Sequence, residues 1–461
     1  METPRPEEDD EKSWGGSVIE NDRSMNKTTA FKAISLLWVG SLAGAGFAFL
    51  TQVFLARKLG SNDFGAFSSS LTTITLLAPL AGFGISQYWL KAFGQEGWAA
   101  KRWLKPSFQF IALSTLSLIC SIVVWALYSS HDRLTQNLLL ILSLYILGQL
   151  SVELVSSKFQ LEEKYLHLAL WQFFPHFLRC SMVFVTAVMS ATPIAAEYYA
   201  TFFSVIAVVF FLLAIPQLLH MTSGKLALKG HELTSEFEAL SVKPSMLSVA
   251  GASWPFGVAA FSYLIYFQSN IILLKHLSSN SAAGIYSVAF TIMTAVYLLP
   301  SVIYQRFLLP KMHRWANHDR EMFYQIYRKG NWLMLLLGTL AMLVILVCAD
   351  WAVPLLFGEA YRDAASILKI LSLSAPIIFL AFSAGATLVT QEHMKVKVKY
   401  MAMVAIINVL LNLALIPRFD LRGAAVATVV SNLLLLSLYF YGAQRLVFKN
   451  KAPIADAAPY A

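Results

Sequence analysis

The sequence predicts an all-α, polytopic membrane protein of about twelve transmembrane helices, built as two six-helix halves. Three observations carry this. Hydrophobic residues make up 57% of the chain and charged residues only 13%, against about 25% charged in soluble domains. Most of the chain therefore has lipid as its solvent. From Phe31 to Gln444, apolar stretches of roughly twenty residues, the length a helix needs to cross a bilayer, alternate with short polar breaks. Finally, the segment Leu59-Gly60-Ser61-Asn62-Asp63-Phe64-Gly65-Ala66-Phe67-Ser68 after the first stretch returns after the seventh. There it reads Leu277-Ser278-Ser279-Asn280-Ser281-Ala282-Ala283-Gly284-Ile285-Tyr286-Ser287. Six spans per half make this a parallel repeat about an axis along the membrane normal, a plan found among secondary transporters.

Residues 1–30 are polar and acidic (Glu7, Glu8, Asp9, Asp10, Glu11), with Pro4, Pro6, Gly15 and Gly16, and read as a disordered tail. They lack the apolar core and cleavage pattern of a signal peptide. The first six spans are expected at Ala33–Ala56, Ala66–Leu90, Ser107–Tyr128, Thr135–Val155, Leu166–Ser190 and Ala196–Leu219, within an N-terminal bundle of residues 31–220. Residues 221–246 form the longest polar break and join the halves. The second six are expected at Val249–Leu274, Ala282–Leu308, Trp332–Trp351, Ser366–Val389, Val396–Ile416 and Gly423–Tyr441, within residues 247–442. Residues 443–461 are a second tail. Leu161-Glu162-Glu163-Lys164 before span five corresponds to Thr390-Gln391-Glu392-His393 before span eleven, and Pro79 of span two falls within two positions of Pro300 of span eight on the repeat alignment. Prolines inside spans free carbonyls and bend helices.

Loop charge alternates along the chain. One side collects roughly 26 of the 35 basic residues and the other roughly 8, which places both termini and the linker in the cytoplasm. The formal net charge of +9 is explained by these loops and implies no nucleic acid partner. Cys120, Cys180 and Cys348 lie in apolar stretches without metal-ligand spacing. No Walker loop, HExxH, GxSxG or GxGxxG is present. The sequence thus implies no enzyme, no cofactor and no metal. A membrane glycosyltransferase or polymerase is disfavoured further by short loops on the outer side.

Arg179 is the remaining basic residue and falls about midway along span five. A charge there costs about 2.5–3.5 kcal/mol to insert and should face the protein interior. Gln172, His176 and Arg179 recur at i, i+4 and i+7, on one helix face beside Pro175. A guanidinium fork suits phosphate oxygens. Arg179 therefore either binds an anion or forms a structural ion pair with Glu153 of span four. Ser41, Ala45, Ala48 and Gln52 of span one, and Ser253, Gly257, Ala260 and Asn270 of span seven, form small polar faces that either pack helices or line a cavity. Gln52 and Asn270 are the cavity candidates among them. Lys91 and Arg306 end spans two and eight, either as snorkelling anchors or as first contacts for an anion.

Four segments carry a resemblance. Leu356-Phe357-Gly358-Glu359-Ala360-Tyr361 with Ala364 to Ser372, Asn408 to Pro417 (N-x-x-LN-x-x-LIP), and Leu421 to Thr428 (GAA-x-AT) resemble polysaccharide flippases in order and span. So does Ala56-Arg57-Lys58-Leu59-Gly60 with Phe64 to Ser68. The chain resembles the Wzx-type flippases of lipid-linked oligosaccharides, whose superfamily includes multidrug extruders and the lipid II flippase. The resemblance implies a MATE-like V of two six-helix bundles around a central cavity, alternating access, and an undecaprenyl-diphosphate-linked oligosaccharide as cargo. It also implies a bacterial inner-membrane setting, with membrane lipid, a polysaccharide polymerase and glycosyltransferases as partners. Asn270 stands where the family often has Asp, which removes an acidic ion site there. Twelve spans rather than fourteen point away from the lipid II flippase branch. A multidrug or cation antiporter of the same architecture is the alternative; it would want buried carboxylates.

Overall fold

The structure, a computed structural model, describes residues 27–190, 194–223, 226–229, 244–301, 303–304, 312, 320–390 and 393–448, with side-chain surroundings from residue 37 onward. Among these residues there is no strand. The N-terminal half contains α1 (Lys27–Leu77), α2 (Pro79–Gly82), α3 (Ile85–Glu96), α4 (Leu104–Tyr128), α5 (Arg133–Leu142), α6 (Tyr145–Leu161), α7 (Tyr165–Met189) and α8 (Ala196–Thr222). The C-terminal half contains α9 (Met246–Leu277), α10 (Asn280–Ser301), α11 (Arg320–Phe357), α12 (Ala364–Ser372), α13 (Ser374–Thr390) and α14 (Met394–Gly442).

Several of these helices are too long for one crossing. A continuous stretch of 92 residues, 37–128, and another of 55, 394–448, both read as apolar and helical. At 1.5 Å per residue the first would be about 140 Å long, against a hydrocarbon core of about 30 Å. Backbone breaks divide them. Gly60 (φ 70°, ψ 173°) bends α1, and Asp420 (φ 50°, ψ −130°) bends α14. The fold-back at Asp420 is explicit. Asn408 Nδ2 donates to Ser431 Oγ at 3.0 Å, although 23 residues separate them, about 35 Å along a straight helix. Counting three crossings before Tyr128, two in α14, and the bent pair α12–α13 as one gives twelve among the described residues.

The breaks at Gly60 and Asp420 are therefore sharp kinks that join two successive helices with almost no loop between them. Span two is itself interrupted. Pro79 opens α2, and Phe83 (φ 46°) and Gly84 (φ 78°) are left-handed. The loosened carbonyl of Ala81 accepts from Ser114 and from Thr115 Oγ1 (3.4 Å) on α4, the local repair that a broken span needs in lipid. Span four is likewise two helices, α5 and α6, hinged at Ser143 and Leu144. Asp132 caps α5 by accepting from Thr135 N at 3.1 Å, and Ser245 caps α9 by accepting from Ser248 N at 3.1 Å, which satisfies donors that a helix start leaves open.

Chain alternation puts Gly60, Ser129–Asp132, Ser190, Ser278, Gly358 and Asp420 at one end, here the Gly60 end. It puts Gly97, Glu162–Lys164, Ser223 and His393 at the other, the Gly97 end. Apolar side chains such as Leu116, Val124, Val188, Leu212, Leu336 and Val347 remain exposed on α4, α7, α8 and α11, as lipid contact requires.

The two halves join along the second arm of α1 and α10. Ser68 Oγ donates to Ser287 Oγ at 2.8 Å, and Ser281 Oγ to Ser61 Oγ at 3.0 Å. A Cβ on Gly65 would lie 1.7 Å from the Asn280 carbonyl oxygen, and one on Gly284 2.2 Å from that of Ser61. Only glycine permits this approach. Arg57 of α1 reaches across to the last carbonyls of α11, with Nε donating to Leu356 O at 2.7 Å and Nη2 to Leu355 O. Tyr361 Oη donates to Ala56 O at 3.1 Å. A second meeting point is nearer the Gly97 end, where a Cβ on Gly84 would sit 2.4 Å from Gly257 N of α9. The linker is held to the N-terminal bundle: Lys229 N donates to Leu161 O at 3.2 Å and Ala227 N to Glu162 Oε1 at 3.4 Å.

Candidate functional site

Two polar sites lie inside the bundles. The first surrounds Arg179. On α7, Gln172, His176 and Arg179 share a face as their spacing predicts. Gln172 Nε2 donates to Ser156 Oγ of α6 at 3.2 Å, and His176 packs against Gly44 of α1, where an added Cβ would meet its ring at 3.5 Å. Arg179 Nη1 donates to Tyr145 Oη at 2.6 Å. Its guanidinium also lies 5.0 Å from the Tyr145 ring centroid and 5.4 Å from that of Phe203, a cation–π seat. Gln149 Nε2 donates to the same Tyr145 Oη at 2.9 Å.

The alternative ion pair with Glu153 is not formed in this structure. Glu153 accepts instead from Ser86 Oγ, in the first turn of α3, where the helix N-terminus favours a carboxylate. Tyr145 and Glu153 are eight residues apart on α6, about 12 Å, so a guanidinium held by Tyr145 is out of reach. Arg179 thus lies against aromatic rings and a tyrosine hydroxyl, and its Nε has no hydrogen-bond partner. Gln52 of α1 is half-buried, and its Oε1 likewise has none. Lys91 is exposed on α3. Arg306 lies outside the described residues.

The second site is a cavity of about 560 Å³ within the C-terminal bundle, between α9, α10, α13 and both arms of α14. Tyr263 and Phe267 stack at 5.7 Å along one wall, and Phe290 meets Phe267 edge-on at 4.9 Å. Tyr297, Phe382 and Tyr439 complete the aromatic lining. Among the described residues, Lys397 is the one charged residue of the lining. Its Nζ is 5.9 Å from the Tyr439 ring centroid, one turn from the Gly97-end start of α14.

Among the described residues, Asn270 is the one sequence candidate on this cavity. It is buried and organises a neutral network: its Nδ2 donates to Tyr286 Oη (2.9 Å) and Thr428 Oγ1 (2.5 Å), and its Oδ1 accepts from Asn412 Nδ2 (2.7 Å). Asn412 Nδ2 also reaches Asn408 Oδ1 (3.1 Å), which accepts from Ser269 Oγ (3.2 Å). Tyr266 Oη donates to Asn432 Oδ1 beside it. Among the described residues, no carboxylate enters this network or the cavity lining. Among the described residues, no group of three or more His, Cys, Asp or Glu could hold a metal.

Sequence reasoning missed Tyr145, Lys397 and the network around Asn270. Lys397 sits among Lys395 and Lys399 and reads as one more loop cation. The Asn408–Asn412 pair at i, i+4 in an apolar span was a usable signal, since two amides on one buried face need partners.

Repeat-related bundles of long apolar helices with a cavity inside define a multi-pass membrane protein. The chain belongs to the polysaccharide biosynthesis protein family, which matches it over residues 30–315. The capsular polysaccharide biosynthesis protein CapF of Staphylococcus aureus is 26% identical over 176 residues, covering 38% of this chain and 44% of that relative; the aligned part is less than half of the relative's length. Solved structures agree on the fold. The lipid II flippase MurJ in an inward closed conformation superposes with a TM-score of 0.69 at 12% identity, covering 89% of this chain and 87% of its own. An inward-facing multidrug resistance MATE transporter gives 0.61 at 14%, covering 87% and 94%. A transporter of the same superfamily from Pyrococcus furiosus, described as having a binding pocket of reverse polarity, gives 0.62 at 13%, covering 90% and 95%.

Proposed function

We propose that this protein moves an oligosaccharide linked to undecaprenyl diphosphate from the cytoplasmic to the outer leaflet of a bacterial inner membrane, by alternating access between its two bundles. The charge of the C-terminal cavity carries the reading: among the described residues its lining holds Lys397 and no carboxylate. An anionic headgroup is attracted there, and a cation is not. Arg179, held by Tyr145, adds a second cation that pairs with no carboxylate among the described residues.

The physical need is plain. Each sugar hydroxyl taken into hydrocarbon without a partner costs roughly 2–7 kcal/mol, and an ionised diphosphate far more. Neutral amides, hydroxyls and two cations offer substitute partners, while aromatic faces accept the flat faces of sugar rings. With both termini and the linker in the cytoplasm, as the basic loops indicate, the Gly97 end faces inward and Lys397 meets the diphosphate first. The membrane potential, worth about 2.3 kcal/mol per charge per 100 mV, favours an anion leaving a negative interior. A polysaccharide polymerase and glycosyltransferases act after and before this step.

A cation antiporter is the second reading, favoured by the aromatic wall, which could seat an apolar cation. Deletion in the native host separates the two. The flippase reading expects lipid-linked oligosaccharide held in the cytoplasmic leaflet and reduced surface polymer, with drug sensitivity unchanged. Normal surface polymer with marked drug hypersensitivity would reject it.

A further inference from the structure

One cluster bridges the bundles at the Gly60 end and has no part in either polar site. Lys275, near the end of α9, has a side chain only 8% exposed, and its Nζ lies 3.7 Å from Asp132 Oδ1 in the N-terminal bundle. The same Nζ donates to Thr135 Oγ1. Asp132 is held from its own side as well, accepting from Thr135 N at 3.1 Å and from Thr135 Oγ1 at 2.7 Å. Beside this tie stand two histidines, one from each bundle. The His131 and His276 rings are 5.8 Å apart, and Trp125 of α4 packs edge-on to His131 at 4.8 Å.

We infer that this cluster is a proton-released latch: Asp132 and Lys275 hold the bundles together at the Gly60 end, and protonation of the His131–His276 pair opens them. The electrostatics follow from what faces the pair. From α9 come Lys275 and His276, both cationic once His276 is protonated. From the α4–α5 turn come His131 and Asp132, and from α4 only the uncharged Trp125. Arg133, next along α5, is exposed. Among the described residues Asp132 is the one anion acting on the pair, and it is already engaged by Lys275. A proton on each imidazole therefore places three positive charges around one carboxylate, across a seam, with no further anion to absorb them.

Burial, and then the charge of Lys275, lower the pKa of His131 from the ordinary imidazole value. The ring is neutral at neutral pH and takes a proton only on acidification. His131 Nε2 is enclosed without a hydrogen-bond partner, so no acceptor in the closed form rewards a proton there. Opening, which returns the ring to water, does. Closed and open forms then differ in proton affinity, and linkage requires acid to favour the open one.

The latch is independent of the cargo, and its test reads geometry alone. Spin labels are placed on Ser130→Cys and Ser278→Cys, across the seam, after Cys120, Cys180 and Cys348 are replaced by serine. The protein is reconstituted in lipid nanodiscs, and distances are measured at about pH 7.5 and about pH 5, either side of the imidazole range. One short distance is expected at the higher pH and an added longer population at the lower. His131→Gln with His276→Gln should keep the short distance at both. Asp132→Asn should show the longer population already at the higher pH. A distribution that does not change with pH overturns the latch, as does an acid shift of the same size in the double glutamine variant.

Discussion

Ser68 donates a 2.8 Å hydrogen bond to Ser287, and the two serines hold the same place in the two repeats. The contact beside it is reciprocal. Gly65 abuts the Asn280 carbonyl, and Gly284 abuts that of Ser61. With Ser61 equivalent to Asn280 and Gly65 to Gly284, each glycine meets the counterpart of the residue that meets its partner. A twofold relation between like surfaces produces this exchange. The axis runs between the second arm of α1 and α10, which places the two bundles on either side of it.

Gly65→Ala is expected to spread this seam. Its Cβ would fall 1.7 Å from backbone, where no side chain can yield, and overpacking of this kind costs about 1–3 kcal/mol. Thermal unfolding in detergent should drop by several degrees, and Gly284→Ala should behave alike. Ser68→Ala should cost less, about 0.5–1.5 kcal/mol for the lost hydrogen bond. An unchanged melting point for both glycine variants would contradict the close approach.

Arg179→Ala should reduce transport about tenfold or more, in keeping with the 1.5–3 kcal/mol of a hydrogen bond to a charged group, while Arg179→Lys keeps part of the rate. Tyr145→Phe should loosen the guanidinium and give a smaller loss. Because Glu153 is held by Ser86 and not by Arg179, Glu153→Gln should not rescue Arg179→Ala. Recovery of expression or transport in that double variant would restore the ion pair and count against the cation–π seat.

Glu162 supplies a pH dependence. Its side chain is 1% exposed, between Lys164 Nζ at 2.9 Å and Lys158 Nζ at 3.5 Å. Burial raises its pKa, but the hydrogen bond from Lys164 and the charge of Lys158 outweigh burial and hold the carboxyl below the usual value. A depressed carboxylate stabilises the fold fully above the unfolded value of about 4.3, and loses that contribution as the pH falls through the folded one. The linker, bonded to Glu162 through Ala227 N, should therefore become protease-sensitive on acidification. In Glu162→Gln it should be sensitive at neutral pH too. Equal cleavage of both proteins across the range would contradict the clamp.

The crossings, their order and the repeat were legible because apolar length and turn composition report directly on lipid burial. The bends were less so. Asp420 follows Pro417 in a run that reads as loop, yet the backbone departs from helix at a single residue. Gly84 breaks span two in the middle of an apolar stretch, because it must approach Gly257. Of the site, Arg179 was visible by its cost in lipid, but its partner was not. Tyr145 is one of 18 tyrosines, and nothing in its neighbours sets it apart. Lys397 was hidden for a related reason: the difference between a snorkelling lysine and one beneath Tyr439 is tertiary.

Orientation has its own check. Reporter fusions at Ala452 and at Ser235 in the linker should report the cytoplasm, and one at Ser130 the outside. An outside signal at Ser235 would invert the assignment of the Gly97 end.

The central claim is the cargo, and leaflet exchange in vesicles tests it most directly. Undecaprenyl-diphosphate oligosaccharide carrying a fluorophore on its sugar is reconstituted with the protein, and a membrane-impermeant quencher reads the outer leaflet over time. Quenching is expected to pass the outer-leaflet fraction with wild type, to slow about tenfold for Lys397→Gln of equal folding by gel filtration, consistent with the loss of one charge-assisted contact, and to stop at that fraction without protein. Wild-type vesicles that quench no further than protein-free ones, while the same preparation moves a small cationic dye, would contradict the account.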